Sequence, residues 1–93
     1  MRLVWTKAAI EDLSDICDYI MRDRPDAAKQ VASKILQQVE SLVDNPHIGR
    51  KGRIAGTREL VIGRYPYSIP YRVHEEEIQL LRVLHDRRNW PGK

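Results

Sequence analysis

The sequence contains no apolar run approaching the roughly 20 residues that cross a bilayer, so no membrane-spanning role is expected. It has one cysteine, Cys17, which excludes an internal disulfide. Its place on an apolar helical stripe reads as a buried, inert thiol rather than a nucleophile or ligand. His47, His74 and His85 are scattered, without the clustered spacing of a metal site, and neither metal nor cofactor is expected. No nucleophile elbow or serine triad signature is present. Gly49-Arg50-Lys51-Gly52-Arg53 lacks the glycine spacing and the following helix of a phosphate-binding loop. No repeat, linker or low-complexity segment interrupts the chain. Met1-Arg2-Leu3-Val4-Trp5 has no apolar signal region or small-residue cleavage site, so the cytoplasm is the expected compartment.

What is present suits one small domain over residues 1–93, with an ordinary hydrophobic fraction of 42%. The net charge of +3 is unevenly spread. Residues 1–45 carry six basic against eight acidic side chains, a balance of −2, and residues 46–93 carry ten against five, a balance of +5. A basic half points to an acidic or polyanionic partner; the alternative is a set of solvated arginines on a strand face.

Leu3-Val4-Trp5 is a short β-prone run. Thr6 suits an N-cap, and Glu11 and Asp12 fall near the positive end of the helix it opens. Ile10, Leu13, Ile16, Cys17, Ile20 and Met21 recur at helical spacing, which predicts a helix over 7–22. Pro25 suits a first helical position, and Ala28, Val31, Ala32, Ile35, Leu36, Val39, Leu42 and Val43 carry a second stripe over 25–44. So short a connection folds the two into an antiparallel hairpin. The glycine-rich stretch 46–56 reads as a loop. The period then changes to two, and strands are predicted over 58–62, 67–74 and 78–84, joined as an antiparallel meander. Pro70 fits its strand where no neighbour needs its N–H, or at a bulge. The order is β-α-α-β-β-β: an α+β fold with a helical hairpin packed on an antiparallel sheet that residues 2–5 join.

A basic constellation carries the candidate chemistry. The loop supplies Arg50, Lys51 and Arg53, the strands supply Arg58, Arg64, Arg72 and Arg82, and the tail supplies His85, Arg87, Arg88 and Trp90. Arginine suits phosphate because its planar fork donates paired hydrogen bonds and stays charged. Tyr65, Tyr67 and Trp90 offer stacking faces to unpaired bases. Strand alternation means these residues cannot share one face, and Arg72 and Arg82 read as solvated outer positions. His85, followed by Asp86-Arg87-Arg88, has the make-up of a general acid or base flanked by cations. A histidine that only fixes the strand end fits the same residues.

The pieces Val4-Trp5-Thr6, Ala8-Ala9, Asp12-Leu13, Tyr19-Ile20, Pro25 and Ala27-Ala28 resemble the RelE/ParE toxin superfamily. So do Pro46, Gly49-Arg50, Gly56-Thr57-Arg58-Glu59-Leu60-Val61, Pro66-Tyr67, Ile69, Tyr71-Arg72-Val73, Ile78, Arg82-Val83, His85, Arg88 and Trp90-Pro91. The resemblance covers essentially the whole chain in order and spacing. It implies the toxin of a type II toxin–antitoxin (plasmid stabilisation) module, bound by a cognate antitoxin whose disordered, acidic tail wraps it. Operator DNA would then be met only through the antitoxin.

Two activities occur in the superfamily. The ParE-like one, DNA gyrase inhibition, is the one the resemblance favours, through the Pro25-Asp26-Ala27-Ala28 start of the second helix. Target-binding residues would be Arg50, Arg53, Arg58, Arg88 and Trp90. The alternative is a RelE-like ribosome-dependent mRNA endonuclease, with His85, Arg64 and Arg87 as catalytic residues. Several nucleases carry an arginine where this chain has Ser68, and some have a lysine cluster or a tyrosine after the histidine; this chain has neither. A third reading is a non-toxic co-repressor that binds antitoxin alone.

Overall fold

The structure, a computed structural model, describes residues 1–86 and Trp90. Strand β1 (Arg2–Trp5) runs through Thr6 into helix α1 (Lys7–Met21). Thr6 is extended, and its Oγ accepts from the Ala9 N–H at 3.3 Å and donates to the Leu80 carbonyl at 2.7 Å. One hydroxyl therefore caps the helix and ties its start to the sheet. Helix α2 (Pro25–Glu40) opens on Pro25, and a 3₁₀ turn over Ser41–Val43 closes it. The predicted run to residue 44 thus tightens in its last turn, where orphan carbonyls favour shorter bonds.

Five strands follow: β2 (Arg50–Lys51), β3 (Arg58–Val61), β4 (Tyr67–His74), β5 (Glu77–Leu80) and β6 (Leu84–His85). Their spatial order is β1-β5-β4-β3-β2, with β6 also paired to β4. The meander is antiparallel as its short turns require. The sheet as a whole is mixed, not antiparallel, because β1 lies parallel to β5, with Leu3 opposite Ile78 and Trp5 opposite Leu80. The chain between β1 and β5, both helices and then β2 to β4, gives the long connection that a parallel pairing needs.

The predicted strand over 78–84 is broken. Tyr71 opposes Leu80 and Ser68 opposes Leu84, so three steps on β4 face four on its partner, a β-bulge. Pro70 sits opposite the extra residue: its carbonyl accepts from the Leu81 N–H at 2.9 Å, and it has no N–H to leave unpaired.

The core lies between the hairpin and one sheet face. Ala9, Val31, Ile35, Val39 and Leu42 pack against Leu60, Ile62, Tyr67, Ile69, Tyr71, Ile78, Leu80 and Val83. Ile10, Met21 and Leu36, all placed on apolar stripes by spacing, are instead exposed at 54%, 48% and 47%. Ala9, fully buried, takes the inward position on α1. A small residue there lets the helix approach the sheet closely.

Candidate functional site

The helix-free face of the sheet carries a basic recess built around one buried carboxylate. In the β2–β3 pairing Arg50 opposes Glu59, and in the β3–β4 pairing Glu59 opposes Pro70. Glu59 is 1% exposed. Its carboxylate accepts from Arg53 three times, from the backbone N–H at 3.0 Å, Nε at 2.9 Å and Nη2 at 3.2 Å, and from Arg50 Nη2 at 3.3 Å. Burial pushes the Glu59 carboxyl up, but the hydrogen bonds from Arg53 and Arg50 outweigh it and hold the group below the ordinary glutamate range. The same contact raises the Arg53 guanidinium further above its ordinary value. Trp90 lies with its ring centroid 5.9 Å from Arg53 Cζ, within cation–π reach. Arg50, Lys51, Arg53, Glu59, Ser68 and Asp86 line a recess of about 290 Å³ here.

The loop that leads into this hairpin is pinned from beneath. Buried Tyr71 donates its hydroxyl to the Pro46 carbonyl at 2.8 Å and accepts from the Gly49 N–H at 2.9 Å. A Cβ at Gly49 would meet the Tyr71 ring and hydroxyl at 2.7 Å, so only glycine fits this approach. The loop expected over 46–56 therefore contains an ordered strand. Its tip closes where the Gly52 N–H donates to the Thr57 carbonyl at 2.9 Å.

Of the candidate nuclease residues, His85 and Arg64 lie among the described residues. His85 is exposed in β6 opposite Tyr67, and the two rings meet edge to face at 5.6 Å and 85°. Burial pushes the Tyr67 hydroxyl up, so the phenol stays protonated. Arg64 is exposed in the turn before β4, and Arg87 and Arg88 lie outside the described residues. Cys17 is half-buried, and burial with neighbouring Asp18 raises its thiol, which keeps it from acting as a thiolate. Among the described residues no group of three histidine, cysteine or acidic side chains could hold a metal.

The remaining arginines separate by role. Arg72 is exposed and forks onto the Gln79 side-chain oxygen at 3.1 and 3.0 Å. Arg82 is not a solvated outer position: it forms a two-point ion pair with Asp12 on α1. The bulge turns it off the strand alternation that spacing assumed. Arg58 turns away from Glu59, and its Nη1 donates to the carbonyls of His47 at 3.1 Å and Gly49 at 2.9 Å. Glu59 organises the basic face, yet spacing gave it no role. Its one signal was being the lone acid in a basic run from Arg50 to Arg64.

A family model described as ParE toxin of type II toxin–antitoxin system, parDE, matches residues 3–90. Y4kP of Sinorhizobium fredii is 43% identical over 90 residues, which cover 97% of this chain and 93% of that protein. Toxin RelE2 of Caulobacter vibrioides is 37% identical over 87 residues, covering 94% and 97%. Among solved structures, a chain of the chromosomal ParDE TA system from P. aeruginosa superposes with a TM-score of 0.83 at 38% identity, over 91% of this chain and 95% of that one.

Proposed function

We propose that this chain, which belongs to the ParE toxin family of type II toxin–antitoxin systems, inhibits DNA gyrase until a cognate antitoxin with a disordered, acidic tail neutralises it. The observation that carries the reading is the likeness to the P. aeruginosa ParDE chain, which holds in sequence and backbone over nearly the full length of both.

The site geometry supports it. Arg50 and Arg53 are held rigidly by Glu59 on one exposed face, with Trp90 against Arg53. A preorganised cationic platform with an aromatic edge suits an acidic or nucleic-acid-bearing target and loses little entropy on docking. The proposed target surface is Arg50, Arg53 and Trp90, and Arg88, outside the described residues, is proposed to act with them. Arg58, which turns to the opposite side of the sheet edge, is left out of it. The chain works in the bacterial cytoplasm in this reading, and no helix among the described residues is long and apolar enough to cross a membrane. Operator DNA is reached through the antitoxin.

A ribosome-dependent mRNA endonuclease is the second reading. The exposed position of His85 at the β6 edge favours it, with Arg64 and Arg87 as the proposed cationic partners in catalysis. Induction in a host lacking the antitoxin separates the readings through plasmid topology. Gyrase inhibition leaves relaxed or cleaved plasmid and intact messages; message cleavage with normal supercoiling overturns it. Growth unaffected by induction would support the co-repressor alone.

A further inference from the structure

Several described arginines of this chain are paired with carboxylates. Arg2 pairs with Glu77, Arg50 and Arg53 with Glu59, and Arg82 with Asp12. Arg58 and Lys51, like several other described cations, have no carboxylate partner among the described residues, and with His47 they line one recess of about 430 Å³ beside Gly56, Thr57 and Val73. The Arg58 guanidinium is held there by two backbone carbonyls, which fix its direction without neutralising it. Lys51 opposes Arg58 across the β2–β3 pairing, so two like charges stand side by side. Such a pair costs free energy until an anion sits between them.

We propose that this recess, which shares Lys51 with the Arg50–Arg53 recess, seats one carboxylate side chain of the antitoxin's acidic tail. The proposal rests on the toxin–antitoxin reading above. Three features favour an acidic peptide over a nucleic acid. The cations converge on one concave recess, whereas duplex phosphates are strung at regular spacing and are met by open stripes of charge. Val73 supplies an apolar wall for the methylene stem of an aspartate or glutamate. Ile48, beside His47, and Ile54, in the loop before Gly56, are exposed at 61% and 36% and would take apolar residues on either side of the acid. A peptide that folds on binding needs such anchors, because ordering it costs free energy that charge pairs alone do not offset.

The test titrates the full-length, isotope-labelled chain at one fixed ionic strength with three probes. These are a short blocked peptide alternating leucine with glutamate, inorganic phosphate, and a short DNA duplex. The peptide should move the resonances of His47, Thr57 and Arg58. His47→Gln combined with Lys51→Gln, which leaves the carbonyl contacts of Arg58 in place, should weaken peptide binding about tenfold, as the loss of one exposed charge contact and one ring contact would. Arg58→Gln should weaken it at least as much, and Lys29→Gln on α2 should not change it. Peptide shifts that map elsewhere, or an unweakened double variant, overturn the assignment. Phosphate binding as tightly as peptide overturns the choice of carboxylate, and duplex DNA moving the same resonances overturns the choice of peptide. Toxicity is scored separately. A toxic chain whose recess ignores the peptide overturns this site and leaves the gyrase reading standing, and a non-toxic chain that binds peptide there does the reverse.

Discussion

The carboxylate of Asp12, on α1, accepts Nε and Nη2 of Arg82 at 2.6 and 3.0 Å and the Val83 N–H at 2.9 Å. One side chain thus closes the β5–β6 bulge and fastens the start of the C-terminal segment to the helical hairpin. The Arg82 and Asp12 side chains are 26% and 11% exposed, so breaking the pair leaves a charge with little access to water. Removing one partner of a fully buried pair costs about 3–5 kcal/mol. With this degree of exposure Asp12→Ala should cost about 2–3 kcal/mol, seen in urea unfolding as a lower midpoint with unchanged slope. A double-mutant cycle with Arg82→Met should return a coupling of more than about 1 kcal/mol; additive effects would contradict the linkage.

Glu59 makes stability depend on acidity in a defined direction. Its carboxyl is held below the ordinary glutamate value of about 4.3. A depressed folded-state value means the contribution is fully present above the unfolded value and is lost as pH falls through the folded one. Unfolding free energy should therefore drop as pH falls below the ordinary glutamate range, and Glu59→Gln should flatten part of that drop. Because Glu59 holds Arg53, and Arg53 meets Trp90, the same variant should also alter tryptophan fluorescence at neutral pH, with Trp5 as the constant background.

Tyr71 and Gly49 form a matched pair beneath the basic hairpin. Tyr71→Phe removes a hydroxyl that donates once and accepts once, and should cost about 1–3 kcal/mol. Gly49→Ala should destabilise by a similar amount, about 1–3 kcal/mol, through overpacking against the ring. Tyr71→Phe combined with Gly49→Ala should cost less than the sum, since the lost hydroxyl relieves one of the two clashes. Thermal unfolding of the three variants reads this directly.

The elements visible in the sequence are those written by local chemistry. Period-3.6 apolar spacing and Pro25 place the hairpin, the Thr6 hydroxyl starts α1, and period-two alternation places β3 and β4. What escaped depends on partners far along the chain. The parallel β1–β5 pairing, with Arg2 opposite Glu77, has no local signature. The bulge at residues 81–83 appears only in the register of β4 against β5 and β6, although Pro70 hints at it. Arg50–Lys51 becomes a strand because β3 offers it an edge, not because two residues have strand character. The arginines likewise could be counted but not sorted. Which were neutralised by Glu59 or Asp12, and which, like Arg58, meet no carboxylate among the described residues, is decided by pairings that residue type does not encode.

The account's central claim, a gyrase inhibitor whose action runs through the Arg50–Arg53 face, is tested most directly on one preparation of purified chain carrying either Arg53→Ala or His85→Gln. Gyrase supercoiling and ribosome-dependent cleavage of a message are measured side by side, after each variant is shown to be folded. The predicted result is wild-type inhibition of supercoiling without message cleavage, reduced several-fold by Arg53→Ala and little changed by His85→Gln. Removing a general acid or base typically costs about 100- to 10,000-fold in rate. Message cleavage by the wild type, lost to that extent in His85→Gln and retained in Arg53→Ala, with supercoiling untouched, would contradict it.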